Sequence, residues 1–216
     1  EDWRSADGVP PSDAATLRLH PAPGGDRLLQ EQAPSDGFVT WLSVPRGAAV
    51  LSGVEKLEPQ QLAFGWTAPR DVELFGPVTI NLRYRCSEID SYIVARLDHI
   101  DRTGRRKLVS MGHLRPAMRR IMDAASSPGE IAIDPTAHQP LVPHEAVVLR
   151  FSLTPAATHL AAGERLELCI ASRTDLLHIP VRDGYIVPDM PAPPYFARNT
   201  ILCGTETFLE LSVRSV

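Results

Sequence analysis

Apolar and polar side chains alternate strictly along residues 78–86. One face of this stretch carries Val78, Ile80, Leu82, Tyr84 and Cys86, and the other carries Thr79, Asn81, Arg83 and Arg85. Successive side chains of a β-strand point to opposite faces, so the spacing predicts a strand with one buried face. A helix of the same sequence would place arginines within its apolar stripe, so the stretch is not helical.

The same period-two spacing recurs along most of the chain. Strands are predicted at 38–44, 92–100, 107–114, 147–153, 166–170 and 208–213. Between them lie many of the 20 prolines and 14 glycines, a frequency of chain breaks that suits short strands and disfavours long helices. One short helical segment is predicted, at 116–125, and the turn-rich residues 126–129 should end it.

Strands that follow one another without intervening helices predict two packed antiparallel sheets. We therefore predict an all-β fold, an antiparallel β-sandwich of jelly-roll type, as a single domain over residues 1–216. Two segments should be irregular. Residues 1–36 should wrap the surface with one or two short strands. Residues 175–199 should form a long loop whose aromatics Tyr185, Tyr195 and Phe196 are candidate contacts with a partner.

The charge balance excludes some classes of partner. The net charge is −4, from 26 acidic and 22 basic residues, which gives no reason to expect nucleic acid or an anionic membrane surface. No apolar run approaches the ~18 residues of a transmembrane helix. A basic turn around Thr103 and Gly104, with Arg102, Arg105, Arg106 and Lys107, could touch phosphates, but a solvated turn is the preferred interpretation. Glu1 in place of an initiator Met indicates an excised or processed chain.

The three cysteines, Cys86, Cys169 and Cys203, are widely spaced and form no Cys-x-x-Cys pair. Each falls in or beside a predicted strand. We interpret them as buried free thiols in a reducing compartment, which favours the cytoplasm, with one disulfide and a spare thiol as the alternative.

Catalytic motifs are missing from the sequence. The nucleophile elbow Gly-x-Ser-x-Gly of α/β serine hydrolases does not occur, and near Ser110 the first glycine is replaced by Leu108. The seven histidines are scattered without a His-x-His or His-Glu-x-x-His pair, which disfavours a metalloenzyme of cupin type. No phosphate-binding glycine loop is present. We predict no catalytic residue, no metal and no cofactor in this chain.

Two polar pairs have competing interpretations. Asp98 and Asp101 flank the end of a predicted strand, where they could bind calcium or act as acid and base. The preferred alternative is that Asp101 caps a hairpin turn. Arg115 and Arg119 follow another strand, and their guanidinium groups could pin the domain onto an acidic neighbour or could simply be surface charge.

Four segments in order resemble the C-terminal domain of the cocaine-esterase and X-Pro dipeptidyl-peptidase family of bacterial serine hydrolases. They are Asp71-Val72-Glu73-Leu74-Phe75-Gly76-Pro77-Val78, Cys86-Ser87-Glu88-Ile89-Asp90-Ser91-Tyr92 leading into Val94–Asp98, Gly112-His113-Leu114-Arg115 with Arg119, and Pro155 followed by Gly163-Glu164-Arg165-Leu166 and Ile170-Ala171-Ser172. The chain departs from the family pattern at Asp90-Ser91-Tyr92, where the family often has Asp-Thr-Asp, and at Glu164, where it has histidine.

The resemblance implies a galactose-binding-like jelly roll packed against a catalytic α/β-hydrolase domain of the same polypeptide. In such enzymes the Ser-His-Asp triad lies in the other domain, and substrates are esters, β-lactam side-chain amides or Xaa-Pro peptides. Candidate domain-interface residues are Arg115, Arg119, Asp90 and Trp66. A domain without its natural neighbour should also expose an apolar face, through which a homodimer could form.

A carbohydrate-binding module is the alternative function, because jelly rolls of this kind often hold sugars on exposed aromatic rings. Trp3, Trp41 and Trp66 are the available tryptophans, with the loop aromatics beside them. Trp41 lies inside an apolar strand, so we predict that it belongs to the core.

Overall fold

A computed structural model describes residues 8–24, 27–45, 60–127, 129–173 and 196–215. Within these residues it contains eleven β-strands and two three-residue 3-10 turns. The strands are β1 (Ala15–Pro21), β2 (Leu29–Gln30), β3 (Gly37–Ser43), β4 (Gln61–Thr67), β5 (Val72–Cys86), β6 (Ile93–Ile100), β7 (Arg106–Leu114), β8 (Val147–Leu160), β9 (Arg165–Ala171), β10 (Ala197–Cys203) and β11 (Phe208–Ser215). No helix in the described residues is long and apolar enough to cross a membrane.

The strands form two antiparallel sheets. One has seven strands in the order β2-β1-β11-β5-β10-β3, with β8 also paired to β5, and the other has four in the order β4-β9-β6-β7. The inward-facing apolar side chains of both sheets pack into one core cluster. The predicted all-β antiparallel sandwich is therefore confirmed, because each alternating segment places its apolar face between the sheets.

Strand β5 organises the larger sheet. Over its 15 residues it pairs with β8 along most of its length, with β11 through its first half and with β10 through its second half. The register with β8 shifts between Gly76 and Val78. Gly76 has φ +127°, a conformation that an L side chain rarely adopts, which explains a glycine inside a long strand.

The predicted helix at 116–125 is wrong. The structure has one 3-10 turn at Pro116–Met118 and a second at Asp123–Ala125, with Met122 extended just before the second. Ile121 forms a β-bridge with Ile133, and the Met122 amide donates to the carbonyl of Ala132. These long-range bonds occupy backbone groups that a helix would have needed, and local sequence could not reveal them.

One boundary prediction also changes. Strand β10 begins at Ala197, so the end of the predicted loop 175–199 is strand, while residues 174–195 lie outside the described part. In the predicted wrap 1–36, the described residues contain β1 and β2, and β1 pairs with β11 over five consecutive residues. Trp41 is buried in the core, as predicted.

Gly112 marks the place where the two sheets approach most closely at one edge. A Cβ atom added to Gly112 would lie 2.6 Å from the carbonyl oxygen of Ser152 and 2.9 Å from the Cα of Leu153, both on β8. These are backbone atoms, which cannot rotate away. Nearby, the Ser110 hydroxyl donates to the carbonyl of Thr154 and so ties β7 to β8.

Gly112→Ala is therefore expected to lower the free energy of unfolding by about 1–3 kcal/mol, the range typical of overpacking. Urea unfolding followed by tryptophan fluorescence measures the change. Gly129→Ala is the matched control, because its added Cβ would meet only the Pro77 ring at 3.7 Å. Equal stability of the two variants would contradict the close approach.

Candidate functional site

Several of the most deeply buried polar side chains gather at one end of the sandwich. Strands β3, β5, β7 and β9 end there, and β4, β6, β8 and β10 begin there, as the pairing of Ser43 with Ala197, Asn199 with Cys86 and Gln61 with Ala171 shows. We call this the loop end. Its buried polar network consists of Trp41, Ser43, Tyr84, Ser91, Ser172 and Asn199.

Asn199 is the centre of this network. Its Oδ1 accepts hydrogen bonds from the Tyr84 hydroxyl at 2.6 Å and the Ser91 hydroxyl at 2.8 Å, and its Nδ2 donates to the Ser43 hydroxyl. The Ser43 hydroxyl donates in turn to Ser172 Oγ at 2.7 Å. The bonds connect β3, β5, β10 and the residue after β9, so the network joins the two sheets.

The remaining hydrogen bonds of the network involve its tryptophan and serines. Trp41 Nε1 donates to Ser172 Oγ at 2.9 Å, so the hydroxyl of Ser172 faces an indole and another serine. Among the described residues, no histidine is hydrogen-bonded to any of these serines. Burial raises the pKa of Tyr84 well above its ordinary value, so the phenol stays a neutral hydrogen-bond donor.

Asp90 and Arg115 form an ion pair at the same end. Arg115 Nε donates to Asp90 Oδ2 at 2.6 Å, and Asp90 Oδ1 accepts from the backbone amides of Ser91 at 2.9 Å and Ala117 at 3.1 Å. Asp90 therefore connects the loop after β5 to the turn after β7. Arg119 donates to the carbonyls of Pro116 and Gln139. The structure thus brings three of the four predicted interface residues together.

Trp66 lies far from this group. It lies on β4, at one edge of the smaller sheet, where it pairs with Leu166 of β9. Arg115 follows β7, at the other edge of that sheet. Only 7% of Trp66 is exposed, and the exposed part lines a cleft of about 270 Å³ together with Val72 and Arg70. Of the predicted loop contacts, Phe196 is exposed at the loop end, while Tyr185 and Tyr195 lie outside the described residues.

Asp98 and Asp101 do not act as a pair. Asp101 accepts hydrogen bonds from Thr103 N, Thr103 Oγ1 and Arg105 N at 2.6–3.0 Å, which confirms the predicted hairpin cap. The bond from the Thr103 hydroxyl is the largest cause of the lowered pKa of Asp101. Asp98 is instead buried, with 1% of its surface exposed, and its partners are arginines of β6 and β7.

Asp98 belongs to a set of charges on the outer face of the smaller sheet. Asp98 Oδ1 accepts from Arg96 Nε and Oδ2 from Arg106 Nη1, both at 2.7 Å. Arg106 Nη2 donates to Glu167 at 2.7 Å, and Arg165 lies 3.1 Å from the same carboxyl group. Arg106 is therefore an ion-paired strand residue and not part of a free basic turn, which corrects that part of the sequence interpretation.

The three thiols are buried, and His20 and His99 are hydrogen-bonded within the fold. All three cysteines are buried and free, as predicted. Burial raises the pKa of Cys86, that of Cys169 to about 12 and that of Cys203 to about 11, so at neutral pH each is a thiol and a poor nucleophile. His20 contacts backbone carbonyls and His99 pairs with Glu164. Within the described ranges, no cluster of three or more His, Cys, Asp or Glu is placed to hold a metal ion.

The sequence interpretation missed the network although its signal was present. Asn199 occupies an inward position between Ala197 and Ile201, and both neighbours on that face are buried. A buried amide on an apolar face requires hydrogen-bond partners. Ser91 and Ser172 stood in the segments that carried the family resemblance, but their partners come from strands distant in sequence.

A comparison with protein families finds one match over nearly the whole chain. Residues 1–206 match the model of the X-Pro dipeptidyl-peptidase C-terminal non-catalytic domain. Among curated proteins, the putative serine esterase Mb1866c of Mycobacterium bovis and the putative serine esterase MT1883 of Mycobacterium tuberculosis are each 28% identical over 202 residues. The alignments cover 84% of this chain and 32% of each relative, so the chain spans about a third of their length.

Solved structures share the fold at low sequence identity. The CocE/NonD family hydrolase SACOL2612 of Staphylococcus aureus superposes with a TM-score of 0.81 at 18% identity, covering 99% of this chain and 39% of the hydrolase. An aminopeptidase from a marine sediment Thaumarchaeota archaeon superposes with a TM-score of 0.69 at 18% identity, with the same coverage of 99% and 39%. In both proteins, more than half of the chain has no counterpart here.

Proposed function

Because this chain belongs to the X-Pro dipeptidyl-peptidase C-terminal non-catalytic domain family, we propose that it is the accessory domain of a larger serine hydrolase. The rest of that polypeptide would be an α/β-hydrolase domain that carries the Ser-His-Asp triad and acts on ester or Xaa-Pro amide bonds through an acyl-enzyme. The 216 residues would form one domain of it. The galactose-binding-like subtype of the sandwich is part of this proposal.

The observation that carries the proposal is that the polar residues of the family-like segments are hydrogen-bonded within the domain. Asp90 accepts from Arg115 and from the Ala117 amide. Ser43 is hydrogen-bonded to Ser91 and to Ser172. Residues with these partners hold loops in place, which is the role of a scaffold.

We expect the purified chain to hydrolyse neither p-nitrophenyl esters nor Xaa-Pro p-nitroanilides above the buffer rate. The parent polypeptide should hydrolyse at least one of these substrates under the same conditions. Both rates are measured by release of the chromophore. Turnover by the chain alone that disappears on replacement of a serine in it would end the proposal, and so would an inactive, folded parent.

We further propose that the loop end faces the catalytic domain. Asp90 and Arg115 hold the loop after β5 against the turn after β7, and Arg119 holds that turn against Gln139. The side chain of Arg115 keeps 42% of its surface exposed beyond its contact with Asp90. Trp66 lies at the opposite corner and is left out of this interface. A homodimer of the chain without its neighbour remains part of the proposal.

A carbohydrate-binding module is the less favoured function. Trp41 and Trp66, the tryptophans within the described residues, are both buried, so neither offers the flat exposed ring on which sugars stack. The family match also points to the hydrolase role.

A further inference from the structure

The outer face of the larger sheet carries a row of side chains that the strand register aligns. Leu202 of β10 is opposite Phe38 of β3 on one side and Arg83 of β5 on the other, and Arg83 is opposite Val148 of β8. Phe38 is 58% exposed and Val148 is 51% exposed. At a strand spacing of ~4.8 Å, the row is about 14 Å long.

The row belongs to a larger exposed apolar region. Ile89 follows the end of β5, Val142 precedes β8, and Phe196 immediately precedes β10, so all three lie at the loop end. Seven large apolar side chains are exposed in the described part of the chain, and five of them are in this region. We call these five the apolar corner: Phe38, Ile89, Val142, Val148 and Phe196.

The solvent side of an antiparallel sheet is normally polar. Scattered exposed apolar residues are ordinary, but a concentration of them at one place marks an interaction surface. The other two exposed side chains are Val9, whose neighbour Pro10 lies beside Gly76 of β5, and Leu28, which bridges to Gly65 of β4, and both lie away from the loop end. The distribution therefore distinguishes the apolar corner from the remaining described surface.

The charges of this surface indicate the kind of partner. The charged residues on the outer side of β10 and of the second half of β5 are all arginines, namely Arg83, Arg85 and Arg198. Arg85 lies over the ring of Phe38 with its guanidinium carbon 5.9 Å from the centroid, and Arg83 lies 3.7 Å from Glu206. Arginine beside exposed aromatic and aliphatic groups is typical of interfaces, and it pairs best with carboxylates.

The supporting structure is rigid enough for docking. The row crosses four neighbouring strands. Between the row and the loop end, the buried polar network links β3, β5 and β10 by hydrogen bonds to Asn199. Little conformational entropy is lost when such a surface binds, which favours a stable contact.

We propose that the apolar corner is the surface on which the catalytic part of the same polypeptide packs, presenting apolar side chains and carboxylates to it. This rests on the proposed function. The chain covers only about a third of its curated relatives and 39% of the solved hydrolase, so a second domain of greater length adjoins this fold in those proteins. The apolar corner extends over both a face and an end of the sandwich, as a contact between two domains of one chain can.

Hydroxyl-radical footprinting of the parent polypeptide and of the 216-residue chain tests the proposal. Phe38 and Phe196 should be oxidised several-fold more slowly in the parent than in the isolated chain. Leu28, which is also exposed but lies elsewhere, should react equally in both. Equal oxidation of Phe38 in the two proteins would overturn the proposal.

A matched pair of variants gives an independent measurement. Phe38→Thr with Val148→Thr, which retains residues suited to strands, should lower the melting temperature of the parent more than that of the isolated chain. Leu28→Thr, as the control, should shift the two proteins equally. Equal shifts from the first pair would contradict the docking surface.

Three further outcomes separate the alternatives. Protection of Phe38 in the parent that grows with protein concentration, with a dimer of the parent in light scattering, would assign the surface to a second copy and overturn the proposal. A parent that hydrolyses esters but leaves Phe38 fully reactive would refute the docking surface and leave the proposed function intact. An inactive parent would refute the proposed function.

Discussion

Replacement of Asn199 by alanine is expected to destabilise the protein by about 3 kcal/mol, since each buried polar group left without a partner costs ~1–3 kcal/mol. Asn199 is 0% exposed and accepts from the Tyr84 and Ser91 hydroxyls. Without the amide, the phenol of Tyr84 stays inside the core with no acceptor of comparable geometry. Urea unfolding followed by tryptophan fluorescence measures the loss.

A second substitution tests whether the loss comes from the network. Tyr84→Phe should destabilise the natural protein, but in the Asn199→Ala background it should cost nothing or recover stability, because it removes the stranded hydroxyl. Asn81→Ala is the matched control. Asn81 lies on the outer face of β5 and bonds only to the carbonyl of Glu206, so its loss should cost less than ~1 kcal/mol. Additive effects of Asn199→Ala and Tyr84→Phe would show that the two side chains are not coupled.

Removal of the carboxylate of Asp98 is expected to have a similar or larger effect. Asp98 is 1% exposed and accepts from both Arg96 and Arg106. Asp98→Ala leaves the guanidinium of Arg96, whose side chain is 5% exposed, without this counter-ion. Breaking a buried ion pair from one side typically costs ~3–5 kcal/mol.

The double replacement of the pair separates charge burial from packing. Arg96→Met with Asp98→Val removes both charges and retains apolar volume, so it should recover most of the stability lost in Asp98→Ala. Arg106 keeps its bond to Glu167 in both variants. Asp101→Ala serves as the control, because Asp101 is only partly buried and its loss affects only the local cap. A double variant less stable than Asp98→Ala would contradict this account of the pair.

The fold class could be predicted because the strand signal is local. Residues 78–86 place apolar and polar side chains on opposite faces whatever the rest of the chain does, and the structure confirms β5 there. The hairpin cap of Asp101 was predictable for the same reason, since its partners are two and four residues away.

The failures came where partners are distant in sequence. Residues 116–125 have a composition compatible with a helix. In the structure, however, the backbone of Ile121 forms a β-bridge with Ile133 instead of helical hydrogen bonds. In the sequence, Arg106 is one of several basic residues at a turn. In the structure, it donates a hydrogen bond to Glu167, 61 positions away. No spacing rule connects such residues before the register of the sheets is known.

The sequence by itself determined that the chain forms antiparallel strands, that Trp41 and the three thiols are buried, and that no nucleophile elbow is present. The tertiary structure decided which polar groups meet. Asn199 reaches Tyr84 across 115 positions, and Phe38 and Val148 are aligned only through the register of two intervening strands. The physical reason is that side-chain alternation depends on neighbours along the chain, whereas hydrogen-bond networks and exposed surfaces depend on which strands pair.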